Sequence, residues 1–216
     1  MLLTLIAQIS SPFKSIFERF DNTPIDSVED LFLFARTRAS FVAQTTLFGY
    51  LKARMGTQFR EYFTDDVFSQ AIQDSSVKVF VSCLSDLTVH TVAVVADSAP
   101  MQHLEAEIMA RECFDLGMRE GLIDIDPKKI PADARERFEQ RLRETDWPGA
   151  AAGDAAFSLS PVDLARHAPV IDDFKKFDRN IVATSIGNKW REVRTSFGKR
   201  AVPGSIAVDW RRGRRS

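Results

Sequence analysis

Residues 27–56, SVEDLFLFARTRASFVAQTTLFGYLKARMG, contain no proline, open on a capping signal and close on a glycine, which is the pattern of one long helix. Ser27 can cap its N-terminus, with Asp30 three residues on as a short capping-box acid. Glu29 and Asp30 put negative charge at the positive end of the helix dipole, Lys52 and Arg54 put positive charge at the other end, and Gly56 can leave the helix with a positive φ. Leu31, Phe34, Val42, Leu47, Phe48 and Leu51 recur at spacings of mostly three and four, so one side of this helix must be covered. The cover has to come from the rest of the chain.

A chain of 216 residues is long enough to bury a real core, and 44% hydrophobic with 27% charged residues is the balance of a soluble globular protein. Phenylalanine is in surplus, 17 against 2 tyrosines, and supplies large apolar area without a polar handle, suited to helix interfaces or to a partner-binding face. Cys83 and Cys113 are too few to staple a secreted scaffold, which points to a reducing, cytoplasmic setting. The net charge of −1 conceals a polarity: residues 187–216 hold nine Lys/Arg and two acids, a net +7 against −8 elsewhere. A basic arm on an acidic body suggests that the arm binds an anionic surface, on a partner or on the body itself.

The opening MLLTLIAQISSPFKSIFERF lacks the basic region and cleavage pattern of a signal peptide. Ser11-Pro12 starts a short helix with Phe13, Ile16, Phe17 and Phe20 on one side, expected to pack on the body, with peripheral membrane or partner contact by residues 1–20 as the alternative. A short helical piece over 57–63 leads to Thr64, a second capping residue, and to a segment reaching Ala96. Its VKVFV and TVHTVAVVA runs are β-branched, but no turn signal interrupts them, which favours helix. It is not expected to span a membrane, because Asp86 near its middle would cost about 2.5–3.5 kcal/mol on insertion. After a turn at 97–100 comes a helix ending at Gly121, with Leu104, Ile108, Met109, Phe114 and Met118 expected inward. A charged helix then runs from Pro131 to about Glu144 and is broken by Trp147-Pro148-Gly149. AAAGDAAFSLS has linker composition, and a second pair of helices follows, the longer from Val170 to about Phe197. Phe174, Phe177 and Ile181, then Val182, Ile186, Trp190, Val193 and Phe197, form a seam along that helix.

The expected fold is therefore mainly α: a multi-helix bundle of long antiparallel helices over residues 1–146, a linker over 147–160, a C-terminal helical arm over 161–200 and a basic flexible tail over 201–216.

Common catalytic signatures are missing from the sequence: no G-x-S-x-G, phosphate loop, G-x-G-x-x-G, C-x-x-C or H-E-x-x-H. One constellation has the spacing for chemistry. Asp86 and His90 are four apart on one expected helix, His103 and Glu107 on the next, and an antiparallel hairpin about 97–100 would set His90 against Glu107. Four such groups could hold a metal ion or serve as an acid–base cluster. The stretch FREYFTDDVFSQAI resembles the start of the helix that follows the DNA-reading pair in the tetracycline-repressor family, which would imply an all-helical regulator. The resemblance covers 14 of 216 residues, and the preceding LFGYLKARMGTQ lacks that family's small-residue helix–turn–helix pattern, so DNA reading is not assigned on it.

These residues point to a non-enzymatic adaptor or assembly factor with no cofactor. Its contact surface is expected on the C-terminal arm: Phe174, Phe177, Ile181 and Trp190 as apolar anchors, with Arg191, Arg194, Trp210, Arg211 and Arg212 as steering groups. The partner would be a protein or a second copy of the chain. The alternatives are a metal-dependent enzyme built on Asp86, His90, His103 and Glu107, and nucleic-acid binding through the tail, with Trp210 to stack on a base.

Overall fold

The computed structural model describes residues 23–56 and 65–214. Eight α-helices follow in order: α1 (Val28–Met55), α2 (Asp66–Ser98), α3 (His103–Gly121), α4 (Ala134–Glu144), α5 (Trp147–Ala152), α6 (Leu159–His167), α7 (Asp172–Arg200) and α8 (Pro203–Gly213). They pack into a helical bundle, and the described residues contain no strand, only an isolated bridge between Ile25 and Ala201. The expected N-terminal helix, the 57–63 piece and Thr64 lie outside the described residues.

The ends of α1 are made as the capping signals require. Ser27 Oγ accepts from the Asp30 N–H at 3.1 Å, and Gly56, at φ 57°, donates its N–H to the Lys52 carbonyl. Yet α1 is not the hub. That place belongs to α2, which touches α1, α3, α4, α5, α6 and α8. Every residue from 79 to 93 on it is buried. By length and composition α2 could cross a membrane, but 89% of its most apolar 18-residue window is buried inside the fold. A helix apolar all round has neighbours on every side, and each Val or Leu fully buried there contributes about 1.5–3 kcal/mol.

Helix α3 lies unusually close to α2. A Cβ on Gly117 would meet Leu84 at 2.7 Å, and one on Gly121 would meet Phe80 at 2.5 Å. Because Gly117 faces Leu84 and Gly121 faces Phe80, the two helices run in opposite directions. Met109, Phe114 and Met118 are buried, but Leu104 is exposed, one turn too near the helix start to reach the core.

The stretch 147–160, with linker composition, forms α5 and a 3₁₀ turn (Asp154–Ala156) packed on α2. Trp147, Ala150, Ala156 and Ser160 are buried. Alanine and glycine serve close helix packing as well as flexible linkers, and here a buried ionic cluster holds them. Asp86 accepts from Arg141 Nη1 at 2.7 Å and from the Ser160 N–H at 2.8 Å, so the first turn of α6 is capped from α2. Arg141 also donates to Ser85 and to the Ala156 carbonyl. Burial pushes the Asp86 carboxyl above its usual range, against the pull of Arg141 and Ser160.

Residues 203–213, expected to fray, form α8. Ile206, Ala207 and Trp210 are its buried side, and its charges meet acids of α3. Trp210 Nε1 donates to Glu112 at 2.9 Å, Arg211 grips Glu105 in a two-pronged pair at 2.9 and 3.0 Å, and Arg214 pairs with Glu112. The Arg211 hydrogen bond holds the Glu105 carboxyl below its usual range. The two ends of the described chain are tied together. Ile25 donates to the Arg200 carbonyl and accepts from the Val202 N–H, both at 2.9 Å, while Asp209 accepts the Val28 N–H at 2.9 Å and so caps α1 from α8.

Candidate functional site

The longest solvent-facing helix is α7, and its two ends carry the charges that favour it: Asp172 and Asp173 in the first turn, Lys199 and Arg200 in the last. From Val182 onward it is anchored by apolar side chains, Val182, Ile186, Trp190, Val193 and Phe197, all buried. Trp190 is 2% exposed. Its Nε1 donates to Ser160 Oγ at 2.9 Å, and its ring lies 4.7 Å from that of Phe157. Phe197 meets Phe34 of α1 with ring centres 5.2 Å apart.

Before Val182 the anchoring changes. Asp178 is the only buried side chain from 172 to 181. Its carboxylate accepts from Tyr50 Oη at 2.8 Å and from Arg54 through both Nε and Nη2. The Arg54 hydrogen bonds hold Asp178 below the usual carboxylate range, while burial, with Asp178 beside it, pushes the Tyr50 phenol up to about 12. Around this polar clamp the apolar residues face water: Phe177 is 80% exposed, Ile181 64%, Ile171 63% and Phe174 40%. Phe174 is partly covered by the Arg54 guanidinium, 4.7 Å from its ring centre.

The single seam expected from spacing is thus two stripes. Phe174, Phe177 and Ile181 belong to an exposed stripe and Val182 to Phe197 to a buried one. The change comes at Ile181–Val182, where one residue turns the helix surface by about 100°. Beside the anchored half runs an open groove of about 810 Å³. His90 and Phe157 line it from the body side, and Gly187, Asn188, Trp190, Arg191, Thr195 and Gly198 from α7. A Cβ at Gly187 or Gly198 would meet no atom within 4 Å, so this part of the helix leaves room beside it.

The remaining candidate residues are placed as follows. Arg191 donates to Asn188 at 3.0 Å. Arg194 reaches the Ala152 carbonyl at 3.0 Å and lies over Phe157, so its guanidinium ties α7 to α5. Trp210 and Arg211 are engaged with Glu112 and Glu105 on the body, and Arg212 is exposed. The four residues considered for a metal are not brought together. Asp86 turns to Arg141, and His90 Nδ1 meets the Ala150 carbonyl at 2.9 Å. His103 pairs with Glu107 at 3.0 Å and sets its ring against Trp147. Among the described residues no group of three or more His, Cys, Asp or Glu could hold a metal ion. The α2–α3 hairpin does form, but the facing partners of α2 are the α3 glycines, and His90 points to α5 instead.

Two features of the surface had no sequence signal. Asp178 sits between Phe177 and Arg179 as one more charge in a charged helix, and nothing local marks it as buried. Asn188, Thr195 and Gly198 carry no apolar signature, and hydrophobic periodicity does not mark them. Compared with known proteins, the chain matches no family model, no curated protein and no solved structure.

Proposed function

We propose that this chain is a non-enzymatic helical docking protein, an adaptor or assembly factor of a reducing, cytoplasmic setting, which engages a protein partner through α7. One observation carries the reading: Ile171, Phe177 and Ile181, large apolar residues at the start of α7, stand in water, with Phe174 partly exposed among them. Leaving Phe177 and Ile181 uncovered forgoes about 1.5–3 kcal/mol each that burial would contribute. Contiguous exposed apolar residues rimmed by charge are the usual mark of an interaction surface. The rim here is Asp172, Asp173, Lys176 and Arg179, which suits steering and orientation more than raw affinity. Both thiols, Cys83 and Cys113, are free and buried, in keeping with a reducing compartment.

The test is affinity purification from native cells with wild-type protein and with the Phe177→Glu, Ile181→Glu double variant. The expected result is a protein set held by the wild type and lost by the variant, with the same melting curve for both. Identical recoveries from both would overturn the reading.

A further inference from the structure

We infer that the surface presented by α7 is self-complementary and that its partner is a second copy of this chain, the two α7 helices packing antiparallel about a two-fold axis near Ile186. The inference rests on the docking role proposed for α7 and names its occupant.

The exposed positions of α7 follow a heptad rhythm. From Phe177 they advance by four and three alternately through Ile181, Thr184, Asn188, Arg191 and Thr195 to Gly198, and every one is exposed. Such a 3.5-residue repeat keeps one face in register with a partner helix over several turns. The apolar bulk is at one end of the stripe, and the small residues Thr195 and Gly198 are at the other. Turned end for end about Ile186, the stripe places Phe177 of one copy against Thr195 of the other, and Phe174 against Gly198. A Cβ at Gly198 has open space around it, and the groove of about 810 Å³ lies beside Thr195 and Gly198, floored by Phe157 and Trp190. The exposed aromatic rings of each copy therefore arrive where the other copy has an aromatic-lined vacancy. At the centre Thr184 faces Asn188, a pair able to hydrogen-bond and to fix register in the way a seam asparagine does.

Charge selects the same orientation. Asp172 and Asp173, at the acidic start of α7, come level with Lys199 at the basic end of the other copy, and this happens twice in a two-fold pair. Asp172 and Asp173 have side chains 86% and 80% exposed and pair with lysines one turn on in their own helix. A parallel pair would bring the two acidic starts together and the two basic ends together, which costs affinity. It would also stack Phe177 on Phe177 and leave the groove empty. An isologous pair of this kind closes on itself and does not build a fibre.

The test uses the full chain. Sedimentation over a dilution series should show a concentration-dependent monomer–dimer equilibrium, with Phe177→Glu raising the dissociation constant about tenfold or more. Because Cys83 and Cys113 are buried, cysteines placed on α7 report register cleanly. Mixed Thr184→Cys and Asn188→Cys chains should form linked pairs faster than either variant alone. Linking of Thr184→Cys with itself at the mixed rate would overturn the antiparallel pair. A chain that is monomeric at every concentration, yet loses another protein on Phe177→Glu, would overturn the second copy as occupant and leave the docking role standing. Insensitivity of both properties to Phe177→Glu would sink the two together.

Discussion

From Val182 to Phe197, α7 buries a Val, Ile, Trp, Val and Phe at successive turns, whereas from Asp172 to Ile181 its one buried side chain is a carboxylate. The first half is thus held by charge-assisted hydrogen bonds to Tyr50 and Arg54, and the second by apolar burial against α1, α6 and Phe157. Apolar burial does not depend on protonation and only weakly on exact geometry. The Asp178 clamp depends on both. One helix can therefore be welded to a body at one end and presented from it at the other.

Breaking the welded half should have the largest effect. Trp190→Ala removes a fully packed indole and leaves Ser160 without its donor, so unfolding free energy should fall by about 3–5 kcal/mol, measured by urea denaturation. Asp178→Ala should act on the presented half: amides of residues 172–181 should exchange faster with solvent while those of 186–197 keep their protection, and global stability should fall less than for Trp190→Ala. Acid sharpens the contrast further. The lowered carboxyls of Asp178 and Glu105 contribute stability that is fully present above their unfolded values of about 4 and is lost as pH falls through their lower folded values. Asp86, whose carboxyl is raised, works in the opposite sense. Hydrogen exchange at decreasing pH should therefore loosen residues 172–181 before the Trp190 region. The smallest effect on the fold should come from Phe177→Ser, within about 0.5 kcal/mol of wild type by thermal melting, because the residue faces water.

The parts of this fold that were legible in the sequence are those with local causes. The bounds of α1 follow from Ser27, Asp30 and Gly56, and the helical state of α2 from the lack of a turn signal over 77–96. What local chemistry does not carry is which neighbour a side chain finds. The role of α2 as hub was hidden because a uniformly apolar helix has no preferred face to announce. Asp86 and His90 share a face at the right spacing for a site, but Arg141, 55 residues further along, claims the carboxylate. The α7 surface was half legible: Phe174, Phe177 and Ile181 stood out as apolar, while the small and polar positions that give them somewhere to dock did not. Linker-like composition over 147–160 misled for the same reason, since small side chains leave no trace of the close packing they permit.

The contact between Asp209 and the first N–H of α1 joins residues 181 apart in the chain. At a synthesis rate of about 5–20 residues per second, those residues emerge roughly 10–40 s apart. For that interval a nascent chain holds a Phe-rich first helix with an unfinished end, and Ile25 lacks the backbone partners that Arg200 and Val202 later provide. Without α8, the start of α1 loses the Asp209 carboxylate that accepts the Val28 N–H.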